Sequence, residues 1–249
     1  MIFVKNTSNY TGVTIYGDQL DFENLYEALY TIVGDEEEFV DFDSSRIRIL
    51  GVCYDLRHAL MGDREVEFVD NGIDNEKKRN MSVLAPEKNI YFKINVLWPE
   101  ILFVIMALND FIYLYARKKV KKRYNLMLDK QNIWDESIAT VRDFQAAISK
   151  NIKATVSEAS FSRMINVMNN DNRLFDNYTW QYLDILNCRF IDMDREKRLK
   201  SIPTMAKRIA EFGEEYKKVK VEIVAAAKQY NTNEDNINPL VDYPEDFEW

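Results

Sequence analysis

The feature that most constrains this sequence is an apolar run over residues 96–116, which is long enough to cross a lipid bilayer as a helix. Four residues interrupt the run: Pro99, Glu100, Asn109 and Asp110. An aspartate near the middle of a membrane span costs roughly 2.5 to 3.5 kcal/mol on insertion scales. We therefore predict that the run is a helix buried in the core of a globular protein, and that the chain makes no membrane contact.

The sequence before this run predicts a small β-sheet with helices packed on it. β-Branched and aromatic residues fill the short segments 1–5 and 12–16, and the polar stretch between them is typical of a hairpin. Alternating apolar residues predict two further strands, over residues 64–69 and 90–96. With two helices between the strand pairs and the apolar helix at the end, the predicted order is ββααββα.

The second of these helices, over residues 44–61, is apolar on two sides. One side carries five residues at helical spacing: Ile47, Leu50, Tyr54, His58 and Met61. Other apolar residues cover much of the remaining circumference. Because a helix that is apolar nearly all round belongs inside a protein, we predict that this helix is buried on both sides.

After residue 124 the pattern is helical. The predicted helices cover residues 134–156, 157–169, 175–190 and 203–230. The predicted fold class is α+β: a small N-terminal sheet of about four strands packed with helices, followed by an all-helical C-terminal bundle. We divide the chain into an α+β domain, residues 1–130, and a helical domain, residues 131–249, which ends in an acidic tail.

The last predicted helix has the most regular periodicity in the chain. From Ile202 to Tyr230, apolar residues recur at alternating spacings of 3 and 4, which is a heptad seam. A seam of this kind packs either on a second copy of the chain or on the predicted helix 134–156 of the same chain. Phe212 and Tyr216 lie in its middle, and we expect both to be buried in whichever contact forms.

Composition and cysteine usage limit the possible ligands. The 33 basic and 41 acidic residues give a net charge of −8, which opposes nucleic-acid binding except through a local basic patch. One histidine and two distant cysteines, Cys53 and Cys188, do not make a usual zinc site, and no glycine-rich phosphate loop is present. We predict no cofactor. Because no signal peptide precedes the cysteines, we expect buried free thiols and a cytoplasmic location.

Ionisable groups on the two apolar helices form a candidate polar cluster. Its members are Asp55, Arg57, His58, Glu100 and Asp110. Because an unpaired buried charge is costly, we expect Asp110 to pair with Arg57 or with Arg48. The cluster is either an internal ion pair that fixes how the helices align or an active site, and no catalytic residue is assigned within it.

Six basic residues follow the apolar helix. They are Arg117, Lys118, Lys119, Lys121, Lys122 and Arg123. Cations at a helix C-terminus complement the helix dipole, so a solvated helix end accounts for them. The alternative is a docking patch for an acidic partner, and these are the only residues through which we consider nucleic acid. The acidic and aromatic residues 242–249 are either a docking peptide or a disordered end.

Three stretches together resemble a known family. They are residues 5–13 (KNTSNYTGV), 50–59 (LGVCYDLRHA) and 95–100 (NVLWPE). They resemble an uncharacterised bacterial family, mostly from Gram-positive hosts, that is classed only as a domain of unknown function. The resemblance covers chiefly the N-terminal half, to about residue 116. It implies a bacterial cytoplasmic protein, and it transfers no catalytic residue to this sequence.

The sequence leads to two hypotheses about function. The first is a non-enzymatic module for protein interaction or assembly in a bacterial cytoplasmic system, with a regulatory or defence accessory role. Its partner, another protein or a second copy, would bind through the C-terminal helices. The alternative is a Mg²⁺-dependent hydrolase or nuclease that uses the carboxylates of the candidate polar cluster.

Overall fold

The computed structural model describes residues 1–82, 84–120, 125–169, 179–244 and 246–249. It has an α+β fold, with a four-stranded antiparallel sheet near the N-terminus followed by a series of helices. The fold class predicted from the sequence is therefore confirmed.

The sheet is built from four short strands in which each neighbouring pair is antiparallel. They are β1 (Phe3–Asn6), β2 (Gly12–Gly17), β3 (Val66–Asp70) and β4 (Lys88–Leu97), in the spatial order β1-β2-β4-β3. Strand β2 lies between β1 and β4 and is buried along its whole length. At Gly12 the backbone of β4 comes so close that a Cβ would lie 2.0 Å from the carbonyl oxygen of Val96, so no larger residue fits there.

The helices occupy most of the remaining described chain. They are α1 (Gln19–Val33), α2 (Asp43–Leu60), α3 (Asn75–Met81), α4 (Trp98–Lys119), α5 (Lys130–Ile133), α6 (Glu136–Thr155), α7 (Glu158–Met168), α8 (Thr179–Ile191), α9 (Arg195–Glu211) and α10 (Glu214–Tyr230). The predicted start of the α8 segment, residues 175–178, lies outside the described residues.

Helix α3 was not predicted, so the observed order in the N-terminal half is ββααβαβα. Its sequence, NEKKRNM, buries no residue and therefore has no apolar periodicity to reveal it. The helix instead begins at a cap, because the Asp74 side chain accepts a hydrogen bond of 2.8 Å from the backbone N–H of Lys77.

Helix α4 is the centre of the core. Every residue from Ile101 to Leu108 is buried, and the helix contacts α1, α2, α8 and α9 as well as strands β2 and β4. Within the described residues it is the one helix long and apolar enough to cross a membrane by length and composition, and 67% of its apolar window is buried inside the protein. A core helix of a globular protein has these properties, and the predicted lack of membrane contact stays a prediction.

The structure corrects the prediction that α2 is buried on both sides. Its buried residues are Ser45, Ile49, Val52, Cys53, Leu56 and Ala59. The predicted stripe faces solvent instead: Ile47, Tyr54 and Met61 are 58%, 53% and 65% exposed, and Leu50 and His58 are half-buried. Helix α2 packs on α1, α4, α8 and β4, and most of its other side is left exposed. We call the stripe Ile47, Leu50, Tyr54, His58 and Met61 the outer face of α2.

The prediction of one continuous helix over residues 203–230 is also wrong. Phe212 has a left-handed backbone with a φ of 47°, and Gly213 is the N-cap of α10. Because of this break, α9 packs on α4 and α7, while α10 packs on α8. The seam therefore packs within its own chain, and mainly on helices other than α6. Its buried members are Ile202, Met205, Ile209, Tyr216, Val219 and Ile223.

The two predicted domains share one core. A continuous cluster of buried apolar residues extends from Ile2 to Ile223. Helix α6 packs on α1 and β1, and α9 packs on α4, so the contacts cross residue 130 in several places. The division of the chain at that residue stays a prediction.

Replacing Tyr216 by Ala, alone or together with Phe212, should lower the free energy of unfolding by about 3 kcal/mol or more. The reason is that the Tyr216 ring is buried and contacts the rings of Tyr182 and Phe212, at centroid distances of 5.8 and 4.7 Å. Urea denaturation measures the change. Val221→Ala, at an exposed position of the same helix, is the control and should change stability by less than about 0.5 kcal/mol. Equal midpoints for the two variants would contradict the prediction.

Candidate functional site

The candidate polar cluster does not assemble as one site, and its α2 members lie at the end of that helix. A carboxylate oxygen of Asp55 accepts a hydrogen bond of 2.7 Å from Arg64. The Nδ1 atom of His58 lies 3.0 Å from a carboxylate oxygen of Asp63. Both partners belong to the loop that follows α2, so these pairs hold the end of the helix to its own loop.

The two acidic members on α4 are far apart. Glu100 and Asp110 are ten residues apart on one helix, which separates them by about 15 Å along its axis. The expected partners of Asp110 are engaged elsewhere: Arg48 pairs with Glu100, and the guanidinium of Arg57 lies 5.9 Å from the ring centre of Tyr54. The structure therefore corrects the expected pairing, because the arginine of α2 meets the first carboxylate of α4 rather than the second.

Arg48 is the centre of a charged network that joins four parts of the chain, and we call it the Arg48 clasp. Nη1 of Arg48 lies 3.4 Å from Oε2 of Glu100, and Nη2 lies 2.7 Å from Oδ1 of Asp184 in α8. Asn187 donates a hydrogen bond of 2.8 Å to the same oxygen of Glu100. The hydroxyl of Tyr243 donates one of 3.1 Å to Asp184. The clasp thus links α2, α4, α8 and the segment that follows α10.

Desolvation dominates the electrostatics of the clasp. Burial raises the pKa of Glu100 above its usual range, although the nearby Arg48 guanidinium and the Asn187 amide lower it. Burial also raises the pKa of Tyr243, and the adjacent Asp184 carboxylate adds to the effect. One cation lies between two carboxylates of different helices, an arrangement that suits an ion-pair network that fixes how helices join.

The residues after α10 are docked on the chain itself. The Thr11 hydroxyl donates a hydrogen bond of 2.6 Å to the backbone oxygen of Glu248. The backbone oxygen of Trp249 accepts from the Ser8 hydroxyl at 2.6 Å and from the backbone N–H of Asn9 at 3.1 Å. The last two residues of the sequence therefore lie along the turn between β1 and β2, held by two hydroxyl groups and one backbone N–H of that turn.

The basic run is only partly described. Lys118 forms an ion pair of 2.6 Å with Glu38, and Lys119 forms one with Asp135. Lys121, Lys122 and Arg123 lie outside the described residues. Two of the three described cations, with Arg117 as the third, are thus neutralised by carboxylates of the same chain.

Neither cysteine is placed for chemistry. Cys53 and Cys188 are buried free thiols, and burial raises the pKa of Cys53 to about 12, which keeps the thiol protonated at neutral pH. Within the described ranges, no three or more His, Cys, Asp or Glu side chains are grouped so that they could hold a metal ion.

The outer face of α2 is an apolar surface on which Ile47, Tyr54 and Met61 are exposed. The rings of Tyr54 and His58 lie 4.2 Å apart at its middle. Gly51 is exposed beside them, and a Cβ at this position would meet nothing within 4 Å. A glycine inside a helix costs about 1 kcal/mol relative to alanine, so the packing of the chain gives no reason for glycine here. A tyrosine, two aliphatic residues and a methionine on one exposed helix face are a suitable surface for another protein.

The fold and the site define an α+β protein with an internal charged clasp and an open apolar helix face. The chain belongs to the family described as Domain of unknown function (DUF6904), whose family model matches residues 2–249. The resemblance to a family without an assigned function is thereby confirmed, and it extends well beyond the N-terminal half. Comparison with curated proteins and with solved structures found no match.

Gly51→Ala should raise the free energy of unfolding by about 0.5 to 1 kcal/mol, because the new methyl group enters open space and the helix backbone loses less entropy on folding. Thermal or urea unfolding measures the change. Gly12→Ala is the matched comparison and should destabilise strongly, since its methyl group would overlap the backbone of β4. Loss of stability in Gly51→Ala would show that the outer face is covered within the chain.

Glu100→Gln should change how stability depends on pH. The carboxyl of Glu100 holds its proton more tightly in the folded than in the unfolded chain. When the pH rises above the ordinary pKa of 4.5, the unfolded chain therefore loses this proton more readily, and the folded state becomes less stable relative to it. As the pH rises from about 4 to about 7, the unfolding free energy of the wild type should therefore fall relative to that of the variant.

Urea titrations at several pH values test this, with Glu222→Gln on the exposed side of α10 as the control. A pH-independent difference between Glu100→Gln and the wild type, or one that changes in the opposite direction, would refute the effect attributed to Glu100.

Proposed function

We propose that this protein is a non-enzymatic module for protein interaction and that the outer face of α2 is its binding surface. One observation carries the proposal: α2 is apolar on two sides, and on the second side Ile47, Tyr54 and Met61 are exposed. Helices of soluble proteins normally place polar residues on the side that faces water. An uncovered second apolar side is therefore best explained by a partner that covers it.

The composition of this face suits a helical partner. Ile47, Leu50, Tyr54, His58 and Met61 follow the spacing of one helix stripe, which is how a helix presents anchors to a groove or to another helix. Tyrosine is among the residues that contribute most to binding energy at protein interfaces, and Tyr54 is 53% exposed on this face. The absence of a side chain at Gly51 leaves room for the backbone of a partner to approach closely.

The proposed binding surface is on α2, whereas the sequence predicts binding through the C-terminal helices. Tyr216 is buried and Phe212 packs against it at a centroid distance of 4.7 Å, so the middle of the seam is occupied by the chain itself. The basic run is partly neutralised by Glu38 and Asp135. The outer face of α2 needs no rearrangement to meet a partner.

A hydrolase or nuclease with carboxylate-bound Mg²⁺ gains no support from the geometry. Such a site needs carboxylates that converge on one ion. Asp55 is paired with Arg64 at the end of α2, Glu100 belongs to the Arg48 clasp, and Asp110 lies about three turns further along α4.

The cellular setting is part of the same proposal. A bacterial cytoplasmic system, with a regulatory or defence accessory role, is the setting that the family resemblance suggests. The two buried free thiols, Cys53 and Cys188, are consistent with a reducing compartment.

The proposal is tested by replacing Tyr54 with the photoreactive amino acid p-benzoylphenylalanine in the full-length chain within its native host. Irradiation should join the protein covalently to one partner, which mass spectrometry identifies. A probe in place of Tyr230, an exposed tyrosine on α10, is the matched control and should not give this adduct. Ile47→Asp should abolish the adduct at position 54 because it places a charge inside the interface.

An adduct with the mass of two chains would make the partner a second copy. If position 54 gives no adduct, or gives the same products as position 230, the outer face of α2 is not a binding surface.

A further inference from the structure

A second polar site lies where α4 meets α6, and it accounts for the asparagine in the middle of the apolar helix. Nη1 of Arg142 donates hydrogen bonds to Oδ1 of Asn109 and, at 2.9 Å, to Oε1 of Gln145. Nε2 of Gln145 donates at 2.7 Å to the backbone oxygen of Ile105 and at 3.2 Å to Oδ1 of Asn109. The two amides therefore hold each other in place and fix one end of the guanidinium.

These side chains line a cavity with a volume of about 210 Å³ between α4, α6 and α7. Ser149 and Asn169 also line it, so most of the polar groups at its wall are hydrogen-bond donors or neutral amides. Among the described residues that line the cavity, none carries a carboxylate side chain. A negatively charged ligand would meet no like charge from these residues.

Arg142 differs from the arginine of the clasp in its charged partners. Arg48 faces two carboxylates, whereas Arg142 has no ion pair with any carboxylate in the described parts of the chain. Its hydrogen bonds there use Nη1 alone, so Nε and Nη2 keep their donors for another acceptor. Arg142 is an exposed residue, and the partial burial of its guanidinium lowers its pKa.

We propose that this cavity binds a small anion through the free Nε–Nη2 edge of Arg142. Two parallel N–H groups on this edge match two oxygen atoms of a phosphoryl or carboxylate group. The Ser149 hydroxyl at the cavity wall supplies a further neutral donor, and Asn109 and Gln145 act as positioning residues that orient the guanidinium. The site is separate from the outer face of α2 and does not depend on the proposed function.

The full-length protein is titrated with inorganic phosphate and, separately, with acetate, while sodium chloride keeps the ionic strength constant. Calorimetry measures binding and thermal unfolding measures the accompanying stabilisation. We expect saturable binding of at least one anion, and about tenfold or greater loss of affinity in Arg142→Gln. Arg163→Gln, which removes an arginine of α7 that also lacks an ion pair in the described residues, should bind like the wild type.

The two anions separate the ligand classes: binding of phosphate alone assigns phosphoryl groups, and binding of acetate alone assigns carboxylates. Arg142→Lys decides the matter if Arg142→Gln fails to fold, because lysine keeps the charge and loses the paired donors, and its affinity should fall. The proposal is overturned if neither anion binds beyond the chloride control, or if the folded Arg142 variants bind as tightly as the wild type.

Discussion

The structure depends on the exclusion of water from α4. This helix contacts the sheet and helices from both halves of the chain, and every residue from Ile101 to Leu108 is buried. Removal of so much apolar surface from water is the main favourable contribution to such a core. It also sets a requirement, since each polar group on the helix has to be satisfied by the elements packed around it.

Two polar groups of α4 meet this requirement in different ways. Glu100, at the start of the helix, is matched in charge by Arg48 and receives a hydrogen bond from Asn187. Asn109, near the middle, meets Arg142, whose charge is not balanced by any carboxylate in the described chain. In the first arrangement the cation is paired with carboxylates of the same chain, and the network serves to join helices. The second leaves a positive charge beside a cavity, and for that reason it is the one suited to a ligand.

Much of the fold follows from apolar periodicity, because burial itself creates that pattern. The strands, the buried α4 and most helices could be predicted in this way, whereas α3 could not, since it buries nothing and begins at the Asp74 cap. The polar sites are harder to predict from the sequence. Glu100 was identified as a group in need of a partner, but Asp184 and Arg142 lie far away in sequence, and only tertiary packing brings them to α4. Periodicity also shows that a helix side is apolar without showing what covers it.

The functional hypotheses depend on two apolar patterns, the seam of α9 and α10 and the outer face of α2. They differ in what covers them. The seam of α9 and α10 is one stripe, and a break at Phe212 lets the chain bury both parts of it against α4, α7 and α8. Helix α2 has two stripes but lies at the outside of the fold, where it can pack on one side only. Intrachain packing thus explains most of the regular seam, from Ile202 to Ile223. It does not explain the irregular second stripe of α2, and a face that folding does not need is the better indication of an interaction with another molecule.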